Sequence, residues 1–272
     1  MIKLIAIDLD GTLLNDKKEI TPRNKRALQL AKEQGVKVVL CTGRPLISIE
    51  KFLIELGLQD EGDYSITFNG GLVQKNDTGE VMEQAAMELD AIKEIAELMH
   101  ELELPLDIVS DDTTIQLTTS TAHTSIYPEL NPVLKVEKTS LENLTTDRLY
   151  NKVVIAYHQD HLDAQIPKIP EDFRERYEVI KTRSNLLEFM TKGITKAYGI
   201  SLLAKDLGFT ADEVMCIGDE ENDLPMIEYA GIGVAMENAI DRVKAAADIV
   251  TASNEEDGVA QVVEKYVLKG VE

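Results

Sequence analysis

The sequence predicts an α/β fold built on a parallel sheet, with a second α+β domain inserted into it. Short apolar runs alternate with longer segments of helical periodicity, and this rhythm loosens between about residues 84 and 187. A chain of 272 residues with 44% hydrophobic side chains can bury one large core or two modest ones. We therefore predict a core domain at 1–83 and 188–272 and an inserted domain at 84–187.

Six apolar runs rich in Ile and Val are predicted to be buried strands of the core, at 4–7, 36–41, 65–68, 214–217, 232–235 and 248–250. The segments between several of them place proline in a first turn or glycine after a last turn, as helices do. The predicted helices are 22–34, 45–56, 197–207, 224–229, 239–246 and 255–268.

The middle of the chain shows no obvious buried parallel strand. A helix predicted at 90–102 is followed by alternating or mixed segments at 114–118, 152–157 and 177–181. Proline-bearing stretches at 127–132 and 166–170 interrupt them. This pattern is typical of an α+β domain.

The composition excludes several classes of partner. The chain has 49 acidic and 28 basic side chains, for a net charge of −21, so we expect no nucleic-acid or anionic-membrane partner. The two cysteines, Cys41 and Cys216, lie in apolar runs and are expected to be free thiols in a reducing compartment. The apolar segment before Asp8 is too short for a signal peptide, and no stretch approaches the length of a membrane span. We expect a soluble, cytoplasmic protein.

Two aspartates follow the first predicted strand directly. Asp8 and Asp10 are two residues apart, so their side chains project the same way from an extended chain, and Gly11 allows the backbone to turn sharply. At the carboxyl edge of a parallel sheet they would meet in the crevice where such sheets bind ligands. An acidic loop with a glycine turn would have the same sequence, so the other strand ends must decide.

A polar segment also follows the second predicted strand. Thr42 offers a hydroxyl, Gly43 an unobstructed N–H, and the predicted helix at 45–56 a positive dipole end, which together suit an oxyanion. The alternative is a plain helix cap, because threonine before a proline-bearing first turn is a common capping arrangement.

A second acidic cluster at 218–223 follows the strand predicted at 214–217. Its Asp219 and Asp223 are hard oxygen ligands of the kind that Mg²⁺ prefers, although acids are also favoured at any helix N-terminus. Acidic clusters at two strand ends favour a metal site over two unrelated loops. Lys196 stands at a helix start, an unfavourable place for a cation, and could equally be a solvated surface lysine.

The ordered set of motifs resembles the haloacid dehalogenase superfamily. The set is Asp8-x-Asp10-Gly11-Thr12, Thr42-Gly43-Arg44, Lys196 and Gly218-Asp219-x-x-Asn222-Asp223. The long insertion and Asn69-Gly70-Gly71 are similar to the Cof-type members, whose known activities are mostly on sugar phosphates; Ala197 replaces a glycine found in many relatives. The resemblance implies a Rossmann-like, doubly wound parallel-sheet core with an inserted α+β cap.

The resemblance also implies a Mg²⁺-dependent phosphatase that hydrolyses small phosphomonoesters through an aspartyl-phosphate on Asp8. Asp10 would be the general acid to the leaving alcohol and then the base that activates water. Mg²⁺ would bind the Asp8 carboxylate, the Asp10 carbonyl oxygen and Asp219, with Asp223 bound to it or just behind.

Other motif residues are expected to hold the phosphoryl group. Lys196 would bridge Asp8 and a phosphoryl oxygen, and Thr42 would hold another oxygen as part of the catalytic set. The remaining substrate- or phosphate-binding residues that the resemblance implies are Gly11, Gly43, Arg44, Asn69, Gly70 and Asn222.

The inserted domain is expected to act as a lid and to set substrate specificity. Four residues are candidate substrate contacts, although ordinary roles in the fold account for them better: His123, Tyr127, Asn185 and Glu188. Flavin mononucleotide or pyridoxal phosphate would also suit a related cap.

Three other functions compete with a phosphatase. A phosphomutase or phosphotransferase would use the same aspartyl-phosphate. A receiver-like signalling module also carries acids at strand ends and a lysine, but it has no such insertion. A silent metabolite-binding protein would not need the intact set of acids and Lys196.

Overall fold

Residues 1–118 and 122–268 are described by a computed structural model, in which the chain divides into two units. Residues 1–44, 49–84 and 195–268 belong to the core unit; residues 45–48 and the described part of 85–194 belong to the second unit. The sequence placed the second crossing between residues 187 and 188. The structure places it between Ile194 and Thr195, because the last strand of the second unit continues to Thr191.

The first part of the core unit contains β1 (Leu4–Ile7), α1 (Pro22–Glu33), β2 (Lys37–Cys41), α2 (Glu50–Leu56), β3 (Tyr64–Thr67), β4 (Leu72–Lys75) and β5 (Val81–Gln84). The second unit contains α3 (Leu89–Glu101), β6 (Asp107–Ser110), β7 (Thr113–Leu117), α4 (Tyr127–Leu130), β8 (Lys135–Thr139), β9 (Lys152–Ala156), α5 (Gln159–Gln165), α6 (Glu171–Arg176), β10 (Tyr177–Arg183) and β11 (Leu186–Thr191). The core unit resumes with α7 (Lys196–Asp206), β12 (Val214–Gly218), α8 (Leu224–Tyr229), β13 (Ile232–Ala235), α9 (Asp241–Ala246), β14 (Ile249–Val250) and α10 (Gly258–Tyr266). Short 3-10 helices lie at Leu46–Ser48, Phe68–Gly70, Leu141–Asn143, Ile166–Lys168, Ala211–Glu213 and Glu221–Asp223.

The core sheet has the strand order β14-β13-β12-β1-β2-β3-β4-β5. The strands from β14 to β3 are parallel, and the strands β4 and β5 extend the sheet as an antiparallel hairpin. Every residue of β1 and β12 is buried, as expected for parallel strands covered on both faces. The chain order runs outward in opposite directions on the two sides of β1, and open α/β sheets bind ligands at such a switch point. The predicted doubly wound α/β core is confirmed.

The predicted helix at 45–56 is wrong in its first half. Leu46–Ser48 form only a 3-10 turn, and α2 begins at Glu50. Proline at position 45 disfavours helical backbone at Arg44, and the Thr42 Oγ1 accepts a hydrogen bond from the Arg44 N–H at 3.2 Å, which closes a tight turn instead. Thr42 therefore does not sit at the start of an α-helix, and no helix dipole of that kind reaches it.

The second unit is built on a six-stranded sheet, in the order β10-β11-β9-β6-β7-β8. Its pairs are antiparallel except for β7 with β8. Ile108, Val153 and Phe189 point from one face into an apolar cluster that includes Ile92 of α3 and Leu162 of α5. Because strand side chains alternate, their neighbours point to the opposite face, and several of these are polar.

That opposite face of the second unit holds a buried ion pair. The Lys152 ammonium donates a hydrogen bond to the Glu188 carboxylate, and each side chain is 2% exposed. Asp107 lies on the same face and is 1% exposed. Among the described residues, no helix has the length and apolar character needed to cross a bilayer.

Candidate active site

Three neighbouring strands of the core sheet end at the same edge. β1 lies between β12 and β2 and is parallel to both. Each strand is followed directly by a polar residue of the predicted site: Asp8 after β1, Asp219 after β12 and Thr42 after β2. The side chains that sequence analysis singled out at separate strand ends are therefore gathered at one crevice.

Lys196 is fully buried between two carboxylates. It is the first residue of α7, and its Nζ donates to Asp8 Oδ1 at 2.5 Å and to Asp223 Oδ1 at 2.6 Å. Burial alone would lower the pKa of Lys196, but attraction to Asp223 and Asp8 outweighs it and holds that pKa above its usual value. Lys196 is thus a fixed cation of the site and not a solvated surface residue.

Asp219 faces the loop that follows β1. The Thr12 hydroxyl, which is fully buried, donates to Asp219 Oδ1 at 2.6 Å. Gly11 has a φ of +83°, and a Cβ there would lie 2.3 Å from Asp219 Oδ2. Only glycine fits a left-handed backbone pressed this closely against a carboxylate.

Asp223 is held by both of its oxygens. Oδ1 accepts from Lys196, while Oδ2 accepts from the backbone N–H groups of Asp219 at 2.9 Å and Glu220 at 3.0 Å. Asp223 therefore fixes the turn that carries Asp219 as well as the lysine beside Asp8.

The buried acids repel one another. Burial, with the charges of Asp223 and Asp10, raises the pKa of Asp8 to about 7 despite the opposing effect of Lys196. Burial, with the charges of Asp223 and Asp8, raises the pKa of Asp219 to about 9. A cation bound beside these two carboxyls would favour their ionised forms.

The donor set fits a divalent cation with a preference for oxygen. One carboxylate oxygen from each of Asp8, Asp219 and Asp223 lies within 4.8 Å of the others, and all three residues are buried. Hard carboxylate ligands of this kind suit Mg²⁺, which gathers few protein ligands and keeps several waters. Among the described residues, the side chains grouped here are all carboxylates, whose hard oxygens suit Mg²⁺ better than a soft metal.

The Asp10 carboxylate has partners that the sequence did not reveal. Arg44 donates from Nε to Asp10 Oδ2 at 2.7 Å and from Nη2 to Asp10 Oδ1 at 2.6 Å. Lys18 Nζ donates to the same Oδ1 at 2.9 Å. Arg44 was predicted to bind substrate or phosphate; in this structure it pairs with Asp10, and the predicted contact stays a prediction.

The other residues predicted to bind substrate or phosphate come from the loops after β2, β3 and β12. The Asn222 amide donates to Asn69 Oδ1 at 3.0 Å, and the Asn69 N–H donates to the Thr42 carbonyl at 3.0 Å. A Cβ on Gly43 would lie 2.9 Å from Asn69 Oδ1. These four residues are therefore brought together.

Gly70 has a structural role in addition to its predicted contact with substrate or phosphate, which stays a prediction. Its φ is +97°, and a Cβ there would lie 1.9 Å from the carbonyl oxygen of Thr195, the residue that caps α7. Glycine is needed here so that the Asn69 loop can pack against the start of the helix that carries Lys196.

The four candidates in the second unit have structural partners of their own. Tyr127 is 1% exposed and Glu188 pairs with Lys152, so both contribute to the packing of that unit. The His123 Nδ1 lies 3.0 Å from the Tyr157 hydroxyl, and the Asn185 carbonyl accepts from the Tyr157 N–H at 3.1 Å. Their predicted contacts with substrate stay a prediction.

Sequence analysis missed three residues of the site. Thr12 belongs to the motif that begins at Asp8, but the sequence does not indicate that its hydroxyl contacts Asp219. Lys18 lies in a loop with no recognisable pattern. The Asn238 amide donates to the Gly11 carbonyl at 2.8 Å from far along the chain, and only the fold brings them together.

Comparison with known proteins agrees with this geometry. The family model for haloacid dehalogenase-like hydrolases matches residues 5–263. The chain is 39% identical over 268 residues to "Putative phosphatase YxeH" of Bacillus subtilis, a match that covers 98% of this chain and 99% of that protein. It is 33% identical to the 5-amino-6-(5-phospho-D-ribitylamino)uracil phosphatase YcsE of Bacillus subtilis, covering 98% of this chain and 96% of the relative.

A solved structure is similar over the same length. The haloacid dehalogenase subclass IIB sugar phosphatase BT4131 is 27% identical, has a TM-score of 0.80, and is matched over 97% of this chain and 98% of its own. Motif order, fold and the gathered acids with Lys196 all agree with the family match. The chain belongs to the haloacid dehalogenase-like hydrolase family.

Proposed function

We propose that this hydrolase is a Mg²⁺-dependent phosphatase of small phosphomonoesters, with Asp8 as the nucleophile that accepts the phosphoryl group. The observation that carries the proposal is the buried contact of Lys196 with Asp8, beside Asp219 and Asp223. A carboxylate that attacks a phosphate dianion is opposed mainly by charge repulsion. A fixed lysine and a bound cation at the nucleophile reduce that repulsion.

The residues divide into ligands and orienting groups. Asp8 and Asp219 would bind Mg²⁺ directly, while Asp223, whose oxygens are engaged by Lys196 and two N–H groups, would orient them. When bound by these carboxylates, Mg²⁺ would supply positive charge that offsets the repulsion between Asp8 and the phosphate. The Asp10 carbonyl stays a predicted ligand. Its carboxylate, which Arg44 and Lys18 contact, stays the group predicted to transfer protons to and from the reacting oxygens.

We propose sugar phosphates as the substrate class. One solved neighbour is named a sugar phosphatase and one relative a phosphatase of a phosphoribityl compound. In both, the phosphate sits on a polyhydroxylated carbon chain. Flavin mononucleotide carries such a ribityl phosphate and is the second candidate, whereas pyridoxal phosphate does not share this chain.

The test is phosphate release from a panel of sugar, polyol and cofactor monoesters, with Mg²⁺ and with EDTA. We expect Asp8→Asn to abolish turnover and EDTA to abolish phosphate release by the wild type. Asp77→Asn is the matched control, because Asp77 is exposed in the turn between β4 and β5. Rapid acid quenching should trap one phosphoryl group on the peptide that contains Asp8.

Two outcomes would contradict the proposal. If Asp8→Asn keeps wild-type activity, Asp8 is not the nucleophile. If a sugar acceptor converts phosphate release into a new phosphate ester, the enzyme is a phosphotransferase. The predicted cytoplasmic location and the absence of nucleic-acid and membrane partners stay predictions.

A further inference from the structure

We infer that Lys18 is a positioning residue for the general acid–base Asp10, acting together with Arg44. This inference rests on the proposed function, since it assigns Asp10 the proton transfer to the leaving alcohol. Lys18 belongs to none of the motifs, and its role emerges only from the structure.

Arg44 and Lys18 both donate hydrogen bonds to the Asp10 carboxylate. The two from Arg44 approach both oxygens side by side and fix the plane of the carboxylate. The contact from Lys18 Nζ reaches Oδ1 from a different part of the chain. The contacts from Arg44 and Lys18 together fix the direction in which the carboxylate points. A single lysine, which is flexible, could not fix it alone.

The two cations differ in how firmly they are held. The Arg44 side chain is 19% exposed, and its N–H donates to the Thr42 hydroxyl, so it is anchored at the end of β2. The Lys18 side chain is 53% exposed, yet its backbone is unusually constrained. Its φ is +61°, a left-handed conformation that a residue with a Cβ rarely adopts.

A local network stabilises that conformation. The Lys18 N–H donates to the Asn15 carbonyl at 2.9 Å, the Glu19 N–H donates to Asn15 Oδ1 at 2.9 Å, and the Asn15 N–H donates to the Glu19 carbonyl at 3.1 Å. The bridge between Leu14 and Ile20 closes the same loop. A strained residue held by its surroundings points to a function for its side chain, and here that side chain contacts Asp10.

Proton transfer depends on position within a few tenths of an ångström. An Asp10 held by Arg44 alone would still allow substrate and metal to bind, but its carboxylate would be positioned less firmly and would meet the leaving oxygen less often. Loss of Lys18 should therefore slow only those reactions whose leaving group needs a proton. This selectivity separates positioning of Asp10 from a general structural role.

The experiment compares kcat/KM for an alkyl phosphate, from the best sugar substrate, with kcat/KM for p-nitrophenyl phosphate. The nitrophenolate leaves without protonation, and kcat/KM reports the transfer to Asp8 and not the later hydrolysis. For Lys18→Met we expect about a tenfold fall on the alkyl ester and less than a twofold change on the aryl ester. Lys18→Arg should restore most of the loss, and Lys75→Met, which removes a lysine paired with Glu80, should change neither.

A double-mutant cycle completes the test. Asp10→Asn should show the same selectivity for the alkyl ester with a larger loss, and adding Lys18→Met should cost little more. Equal losses on both esters, or no loss on either, would overturn the role of Lys18. These results differ from those expected if the proposed phosphatase function is wrong. In that case Asp8→Asn retains turnover, or the wild type hydrolyses neither ester.

Discussion

Asp8 and Asp219 are carboxyls whose surroundings favour the protonated form. Burial raises the pKa of Asp219 from its usual 3.8 to about 9 and that of Asp8 to about 7. Between the usual and the raised pKa, the folded protein holds a proton that the unfolded chain has lost. Unfolding then releases protons, so the free energy of unfolding falls as the pH rises through this window.

We therefore expect the metal-free protein to lose thermal stability from about pH 5 to about pH 9. Mg²⁺ should reverse the trend, because it binds the ionised carboxylates and has fewer protons to displace at higher pH. Melting curves with EDTA and with Mg²⁺ across this range measure both effects.

Asp219→Asn is the decisive variant for this pH dependence. Without the titrating carboxyl, the decline of the melting temperature with pH should become shallower, and the stabilisation by Mg²⁺ should be largely lost. An unchanged decline would show that other groups dominate the titration. Asp77→Asn, exposed in the hairpin turn, should behave like the wild type.

At the scale of elements, α7 depends on its contact with the loop after β3. Gly70 packs against the Thr195 carbonyl so closely that a Cβ would overlap it, at 1.9 Å. We expect Gly70→Ala to displace the start of α7, and with it Lys196, at a cost of about 3 kcal/mol or more in stability. Urea unfolding and kcat measured on the same preparations test this.

Gly79→Ala provides the control for backbone strain alone. Gly79 has a φ of +71°, but nothing lies within 4 Å of a Cβ built there. Gly79→Ala should lower the free energy of unfolding by about 1 kcal/mol and leave kcat unchanged. If Gly70→Ala and Gly79→Ala have the same free energy of unfolding and the same kcat, the contact of Gly70 with α7 does not contribute to stability or activity.

The elements that could be predicted from sequence are those whose pattern reflects burial on both faces. β1, β12 and β13 were found within one residue of their ends because each is a short run of buried apolar residues. β8 was missed because it is largely exposed and reads as Lys-Val-Glu-Lys-Thr. The hairpin of β4 and β5 was missed because each strand has only four residues and mixed polarity.

The residues of the site also differ in how far the sequence predicts them. Acids at strand ends, and Lys196 through the family motif, were predicted because their positions follow from topology. The pairing of Asp10 with Arg44 and Lys18 was not, because it depends on where long side chains turn after their backbones are placed. Contacts between loops distant in sequence carry no local signal.

At the scale of the molecule, each unit has its own buried polar anchor. In the second unit Lys152 and Glu188 pair within a sheet and are almost inaccessible. We expect Glu188→Gln to leave the lysine charge poorly compensated and to destabilise this unit by roughly 3–5 kcal/mol. The core sheet should be little affected, since its hydrogen bonds do not involve this pair.

Hydrogen exchange read out on peptides distinguishes the two units. Protection should fall in β9 and β11 and persist in β1 and β12. Glu178→Gln, which removes a more exposed partner of Lys192, is a control of the same chemistry. Equal loss of protection in both sheets would mean that the chain unfolds as one cooperative body.

The positions at which the chain leaves and re-enters the core unit have a consequence for how such a protein can diversify. Gln84 pairs with Leu72, and Thr195 lies against Gly70, so both junctions are anchored to one short stretch of the same chain. Every residue proposed for the chemistry belongs to the core unit. We therefore expect that the segment 85–194 can be exchanged or lengthened between these two neighbouring junctions while the residues proposed for the chemistry keep their positions.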